Sequence, residues 1–142
     1  MKLALTTVGL VGLLGLGGAS AEDTPGYVLE VPERVELATA GTGTLPLAIK
    51  LDHGRTVSKD AGLVLDLSPD TGLSVKRRRL GRSDAIDPDE EAPRFAIPLR
   101  AEAAGDFTIK LHLRFWLCGT KVCWPIDARR TVTVSVSSAP GR

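Results

Sequence analysis

Phe107-Thr-Ile-Lys-Leu-His-Leu-Arg-Phe-Trp-Leu-Cys118-Gly-Thr-Lys-Val-Cys123-Trp-Pro-Ile-Asp-Ala-Arg-Arg-Thr-Val-Thr-Val-Ser-Val136 is the stretch that decides the fold. Apolar residues alternate along both of its arms, and alternation at period two predicts strands. Between the cysteines, Gly119 to Val122 reads as a short hairpin loop. With Cys118 opposite Cys123, Phe107 meets Val134, Ile109 meets Val132, Leu113 meets Ala128, Phe115 meets Ile126 and Leu117 meets Trp124, all on one face. The exception on that face is Leu111 opposite Arg130, which requires a bulge or an outward-reaching side chain. The other face pairs Trp116 with Pro125, Arg114 with Asp127 as a cross-strand ion pair, and His112 with Arg129. Slipping the register by one would turn Phe115, Leu117, Trp124 and Ile126 outward, at roughly 1.5–3 kcal/mol each. The same register therefore predicts a Cys118–Cys123 disulfide on the face away from the core, at the tip end of the hairpin.

Outward from the hairpin the pattern repeats. Tyr27–Val31, Val35–Thr39, Thr44–Leu51, Leu63–Leu67, Leu73–Lys76 and Arg94–Arg100 read as further strands, separated by Gly, Pro and Asp. Leu45, Leu47, Ile49 and Leu51 share one face, while Pro46 suggests an edge or a strand start. No sustained helical period appears. Seven or eight short strands predict an all-β, immunoglobulin-like antiparallel sandwich.

The chain has 142 residues, suited to one domain. Met1 to Ala21 reads as a secretory signal peptide: Lys2, an apolar run from Leu3 to Gly18, then Ala19-Ser20-Ala21 as the cleavage site. The apolar run is shorter than the ~20 residues a bilayer span requires. Residues 22–142 are then expected as a single exported β-sandwich domain, periplasmic or secreted, with no membrane span in the mature chain. Such a compartment favours pairing of the two cysteines.

Lys and Arg number 18 against 17 Asp and Glu, and loss of Lys2 with the signal leaves no net charge. That balance argues against nucleic acid as a partner. The basic run Lys76–Arg82 is followed at once by Asp84, Asp87, Asp89, Glu90 and Glu91, so its field is cancelled locally and it reads as a solvated loop. His53 and His112 have no spacing that would join the cysteines in a zinc site. Neither a metal nor an organic cofactor is expected.

A bridge closing a loop of about six residues stabilises by only about 2 kcal/mol, against about 3 for fifteen. An accessible bridge is also the more easily reduced kind. Lys121, between the cysteines, would favour a thiolate at either. Redox chemistry and a purely local clamp both remain open on spacing alone.

The segment Phe115-Trp-Leu-Cys118-Gly-Thr-Lys-Val-Cys123-Trp-Pro125, with Ala103-Ala104-Gly105-Asp106-Phe107 before it, resembles the active-site hairpin of the N-terminal periplasmic domain of the thiol:disulfide interchange protein DsbD. The resemblance covers Ala103 to Val136. It implies an immunoglobulin-like domain whose Cys118 and Cys123 are the catalytic, redox-active pair, framed by Trp116, Trp124 and Pro125. It also implies exchange with thioredoxin-like or membrane-embedded thiol–disulfide partners, without a cofactor. The family covers its cysteines with a loop bearing an aromatic side chain. The best-placed loop here, Gly81 to Pro93, has no aromatic residue. The alternative is a non-catalytic immunoglobulin-like binding or accessory domain whose disulfide only fixes the hairpin tip.

Overall fold

Alternation along Thr42–Leu51 and Arg94–Ala101 puts Leu45, Leu47, Ile49, Phe95, Ile97 and Leu99 on one side of a sheet, each at most 1% exposed. Facing them, the long hairpin contributes Ile109, Leu113, Phe115, Leu117, Val132 and Val134, none above 2% exposed. These two inner faces form the core. The computed structural model describes residues 26–38 and 41–138; the predicted signal peptide lies outside the described residues.

The strands are β1 (Tyr27–Glu30), β2 (Arg34–Ala38), β3 (Thr42–Leu51), β4 (Thr56–Val57), β5 (Val64–Pro69), β6 (Leu73–Val75), β7 (Arg79–Gly81), β8 (Arg94–Ala101), β9 (Gly105–Cys118) and β10 (Cys123–Ser137). One 3-10 turn, Arg82–Asp84, follows β7. The first sheet runs β1-β3-β8-β6; the second runs β2-β10-β9-β5-β7, with β4 beside the end of β9. All pairings are antiparallel except β2 with β10. In immunoglobulin lettering the first sheet is A-B-E-D, and β5-β9-β10 is C-F-G, with β7, which follows the D strand in the chain, added beside β5. The fold is thus an immunoglobulin-like sandwich, with the cysteine hairpin as its F–G hairpin. The chain passes from one sheet to the other between β1 and β2, at Pro32.

Pro46 corrects one expectation, since β3 is an internal strand. Its register partner on β8 is Ala96, but β1 stops pairing at Glu30–Ala48, short of Pro46. On the far side of the sheet, β6 stops at Val75–Leu99, short of Pro98. The edge strands end before they reach residues that cannot donate a ladder hydrogen bond.

The turn between β5 and β6 needs Gly72. Its φ is +100°, and an added Cβ would lie 2.6 Å from Phe107 Cε1. Leu73 N–H donates to the Asp70 carbonyl to close that turn.

The charged stretch 76–91 is more ordered than a solvated loop. Arg79 reaches back to Asp66 at 2.8 Å, and Arg77 pairs with Asp84. Arg82 donates to the Val57, Ser58, Pro88 and Glu90 carbonyls, and so ties the 82–90 loop to β4.

Candidate functional site

The β9–β10 ladder has the register read from the sequence, with Cys118 opposite Cys123, Leu117 opposite Trp124 and Phe107 opposite Val134. The ladder runs to Gly105 opposite Val136, and β10 continues one residue further, to Ser137, beside β2. No bulge interrupts it at Leu111–Arg130. Arg130 instead turns outward, and its Nη1 donates to the Arg129 carbonyl at 2.8 Å.

Gly119 N–H donates to the Val122 carbonyl at 2.8 Å, so the loop closes on a hydrogen-bonded pair. Pairs alternate in an antiparallel ladder, so Cys118–Cys123 is a narrow, non-hydrogen-bonded pair. The two Cα atoms are 4.0 Å apart and the disulfide is formed. Cys118 is half-buried and Cys123 exposed. The asymmetry comes from the neighbours: Thr56 of β4 lies opposite Cys118 on its other side, whereas no strand pairs with Cys123 beyond β9 among the described residues.

The loop Gly81–Pro93, expected as the cover for the cysteines, is bound to β4 instead. Val57 N–H donates to the Glu91 carbonyl, and Arg82 secures the rest. The strand beside Cys118 is β4, because Arg82 and Glu91 hold the loop against that strand's own backbone.

Trp116 and Pro125 share the disulfide's face of the hairpin, as the register requires. Trp116 is 41% exposed. Trp124 lies on the opposite face, with Leu117, but is 40% exposed and not buried as expected. It sits at the tip, where its partner is Arg55, whose guanidinium carbon is 5.2 Å from the ring centroid. Val122 in the loop is 51% exposed. Trp116 and Pro125 therefore flank the disulfide on its own face, with Val122 and Lys121 exposed in the loop, whereas Trp124, expected to frame the pair, is turned to the other face by its position one residue out of step.

Sequence reasoning missed Arg55. Its Nε is buried without a hydrogen-bond partner among the described residues. Its Nη1 fills the space where a Gly119 Cβ would point, at 2.7 Å. No periodicity marks a single arginine in a turn, and only the pairing of the next residue, Thr56, with Cys118 brings it to the tip.

Further down the same outer face, Arg114 stands opposite Asp127 but does not form the expected ion pair with it. Arg114 Nη2 is 2.9 Å from Asp66, and His112 Nε2 is 2.9 Å from Asp127. The hydrogen bond from Arg79 holds the Asp66 carboxyl below its ordinary value, with Arg114 helping. The hydrogen bond to His112 does the same for Asp127. Among the described residues no group of His, Cys, Asp or Glu could hold a metal ion, and no helix is long and apolar enough to cross a membrane.

No known family and no curated protein matches the chain. Solved structures with some likeness include native alpha-2-macroglobulin from Escherichia coli, from domain MG7 to the C-terminus. There identity is 16% and the TM-score 0.41 over 78% of this chain, which spans only 16% of that one. AggA, the major subunit of aggregative adherence fimbriae type I from Escherichia coli, gives 9% identity and a TM-score of 0.38 over 78% of this chain and 94% of that one. Murine CRIg gives 8% and 0.42 over 78% and 98%. Likenesses this distant carry nothing about function, and the immunoglobulin-like order rests on the chain's own strand pairings.

Proposed function

We propose that the protein is an exported thiol–disulfide relay that passes electrons through Cys118 and Cys123 to or from thioredoxin-like or membrane-embedded partners. The observation that carries this reading is an accessible disulfide on the outward face of a hairpin, flanked on that face by exposed Trp116 and Pro125. A bridge there adds little to a hairpin already zipped down to the Gly105–Val136 pair. The resemblance to the DsbD N-terminal domain agrees with it.

In the direction that reduces this protein, a partner thiolate attacks Cys123 Sγ, the sulfur belonging to the more exposed residue. The Cys118–Cys123 bond breaks and Cys118 leaves as a thiolate, which takes up a proton. The partner's second thiolate then attacks its own sulfur in the mixed disulfide. Its disulfide closes, and Cys123 leaves and is protonated. Two electrons enter this protein and the partner dithiol is oxidised; the reverse sequence delivers them onward. Thr56 beside Cys118, with Trp116 and Pro125 on the same face, frames the exchange.

The test is the reduction potential of the Cys118–Cys123 couple, equilibrated against glutathione. A value near or above about −230 mV is expected for a relay. A value below about −300 mV identifies a structural staple, and with it the non-catalytic binding or accessory domain.

A further inference from the structure

Strand β10 has a partner on only part of its outer edge. β2 pairs with residues Thr133 to Ser137, and no described strand lies beside Cys123 to Val132 on that side. The backbone hydrogen bonds fix which groups point there. Gly119 N–H donates to Val122 across the hairpin, and Thr133 N–H donates away from β9, to the Glu33 carbonyl. In β10 the even-numbered residues therefore bond to β9 and the odd-numbered ones face the open edge. The β9 side agrees, since the Trp116 and Thr108 carbonyls accept from Ser58 and Asp70, away from β10.

The open edge thus presents Cys123, Pro125, Asp127, Arg129 and Thr131. Pro125 is the one residue that lacks an N–H, and its parity turns that lack outward, so the β9 ladder loses nothing. Arg130 folds over the edge and occupies the Arg129 carbonyl. A proline and a covering arginine are the devices by which exposed edges avoid indiscriminate pairing. Beyond them, an edge of Cys123 to Thr131 remains, and it begins at the exposed cysteine.

We propose that this edge, Cys123 to Thr131, is a docking rail on which an extended, cysteine-bearing segment of a partner protein adds as a further strand. The partner's identity as a thiol–disulfide protein rests on the relay reading above. The chemistry favours this occupant because the backbone of Cys123 itself opens onto the rail, while its sulfur stands on the adjoining sheet face. A strand paired there brings its own side chains alongside Cys123 at cross-strand distance. Main-chain bonds supply affinity without demanding a particular sequence, which suits a protein that must release its partner after exchange.

The test compares two reductants, dithiothreitol and reduced thioredoxin, by the rate at which each opens the disulfide. Arg129→Pro and Thr131→Pro each remove one outward N–H and no bond to β9; Arg129→Ala and Thr131→Ala are the controls. Dithiothreitol should reduce all five proteins equally. Thioredoxin should reduce each proline variant about tenfold more slowly than its alanine control, the effect of about one lost hydrogen bond. Equal thioredoxin rates for proline and alanine variants would overturn the rail. A second measurement holds if the proline variants fail to fold or wild type resists thioredoxin. Cys118→Ser protein is joined chemically through Cys123 to a single-cysteine thioredoxin, and amide hydrogen exchange is read. Protection of the Asp127, Arg129 and Thr131 amides supports the rail, and unchanged exchange sinks it. Resistance of wild type to thioredoxin counts against the relay alone.

Discussion

Asp66 on β5 accepts from two arginines at once, Arg79 at 2.8 Å on one side and Arg114 at 2.9 Å on the other. One carboxylate thereby spans β7, β5 and β9. Arg114 chooses it over Asp127, its direct register partner, because Asp127 is already engaged by His112 at 2.9 Å and Arg129 at 3.7 Å.

The first prediction concerns acid. Asp66, Asp70, Asp84 and Asp127 all have carboxyl pKa values held below the ordinary value. The leading causes are bonds from Arg79, the Thr108 N–H, the Gly81 N–H and His112 respectively. A depressed folded-state pKa favours the ionised, folded protein above the unfolded value, and that contribution is lost as pH falls through the folded value. Stability should therefore be flat above about pH 5 as far as these groups act, and should decline below about pH 4. Urea unfolding at stepped pH, with carboxyl carbon shifts followed by NMR, checks both the slope and the four groups.

Phe115→Ala should cost about 3–5 kcal/mol. Phe115 is 2% exposed and meets Tyr27 edge-on, centroids 5.6 Å apart, so its loss empties the core beneath the disulfide end of the hairpin. Urea denaturation gives the value; a cost under 1 kcal/mol would mean that the site collapses without a cavity.

The two arms of the hairpin are legible because each alternates at period two, Arg130 apart, and because the two cysteines pin their register. Nothing comparable marks β4, two residues long, or β7, three residues inside a basic run. Both are held by partners distant in sequence: Thr56 and Val57 by the end of β9, Arg79 by Asp66. Trp124 was misjudged for a related reason. Facing correctly is not the same as being covered, and the tip offers it only Arg55. Arg114 shows the limit of reading one ladder at a time, since its partner came from a third strand.

Arg82→Lys should destabilise by about 1.5–3 kcal/mol, the worth of a charge-assisted hydrogen bond. Lysine keeps the charge but lacks the fork that reaches the Val57, Ser58, Pro88 and Glu90 carbonyls together. Amide exchange at Val57 should quicken in this variant while exchange at Ile109 in the core stays slow.

Gly72→Ala should be more costly than an ordinary turn substitution, by about 1 kcal/mol or more. Both the positive φ and the clash with the Phe107 ring oppose it. Thermal unfolding of the variant beside Gly54→Ala, where an added Cβ meets nothing, separates ring clash from backbone strain.

Reduction of the disulfide should leave the sandwich folded, with stability lower by about 2 kcal/mol. Far-ultraviolet circular dichroism and urea titration with and without reductant read this directly.

The parity of the hairpin has an evolutionary consequence. Positions 116, 118, 123 and 125 belong to one side of a pleated ribbon, and positions 115, 117 and 126 to the other. Change on the disulfide-bearing side can therefore proceed without disturbing the buried side, because no residue serves both. A lineage could move or lose the disulfide while inheriting the same scaffold intact. Conversely, drift among the core aliphatic residues would go largely unnoticed by whatever meets the cysteines.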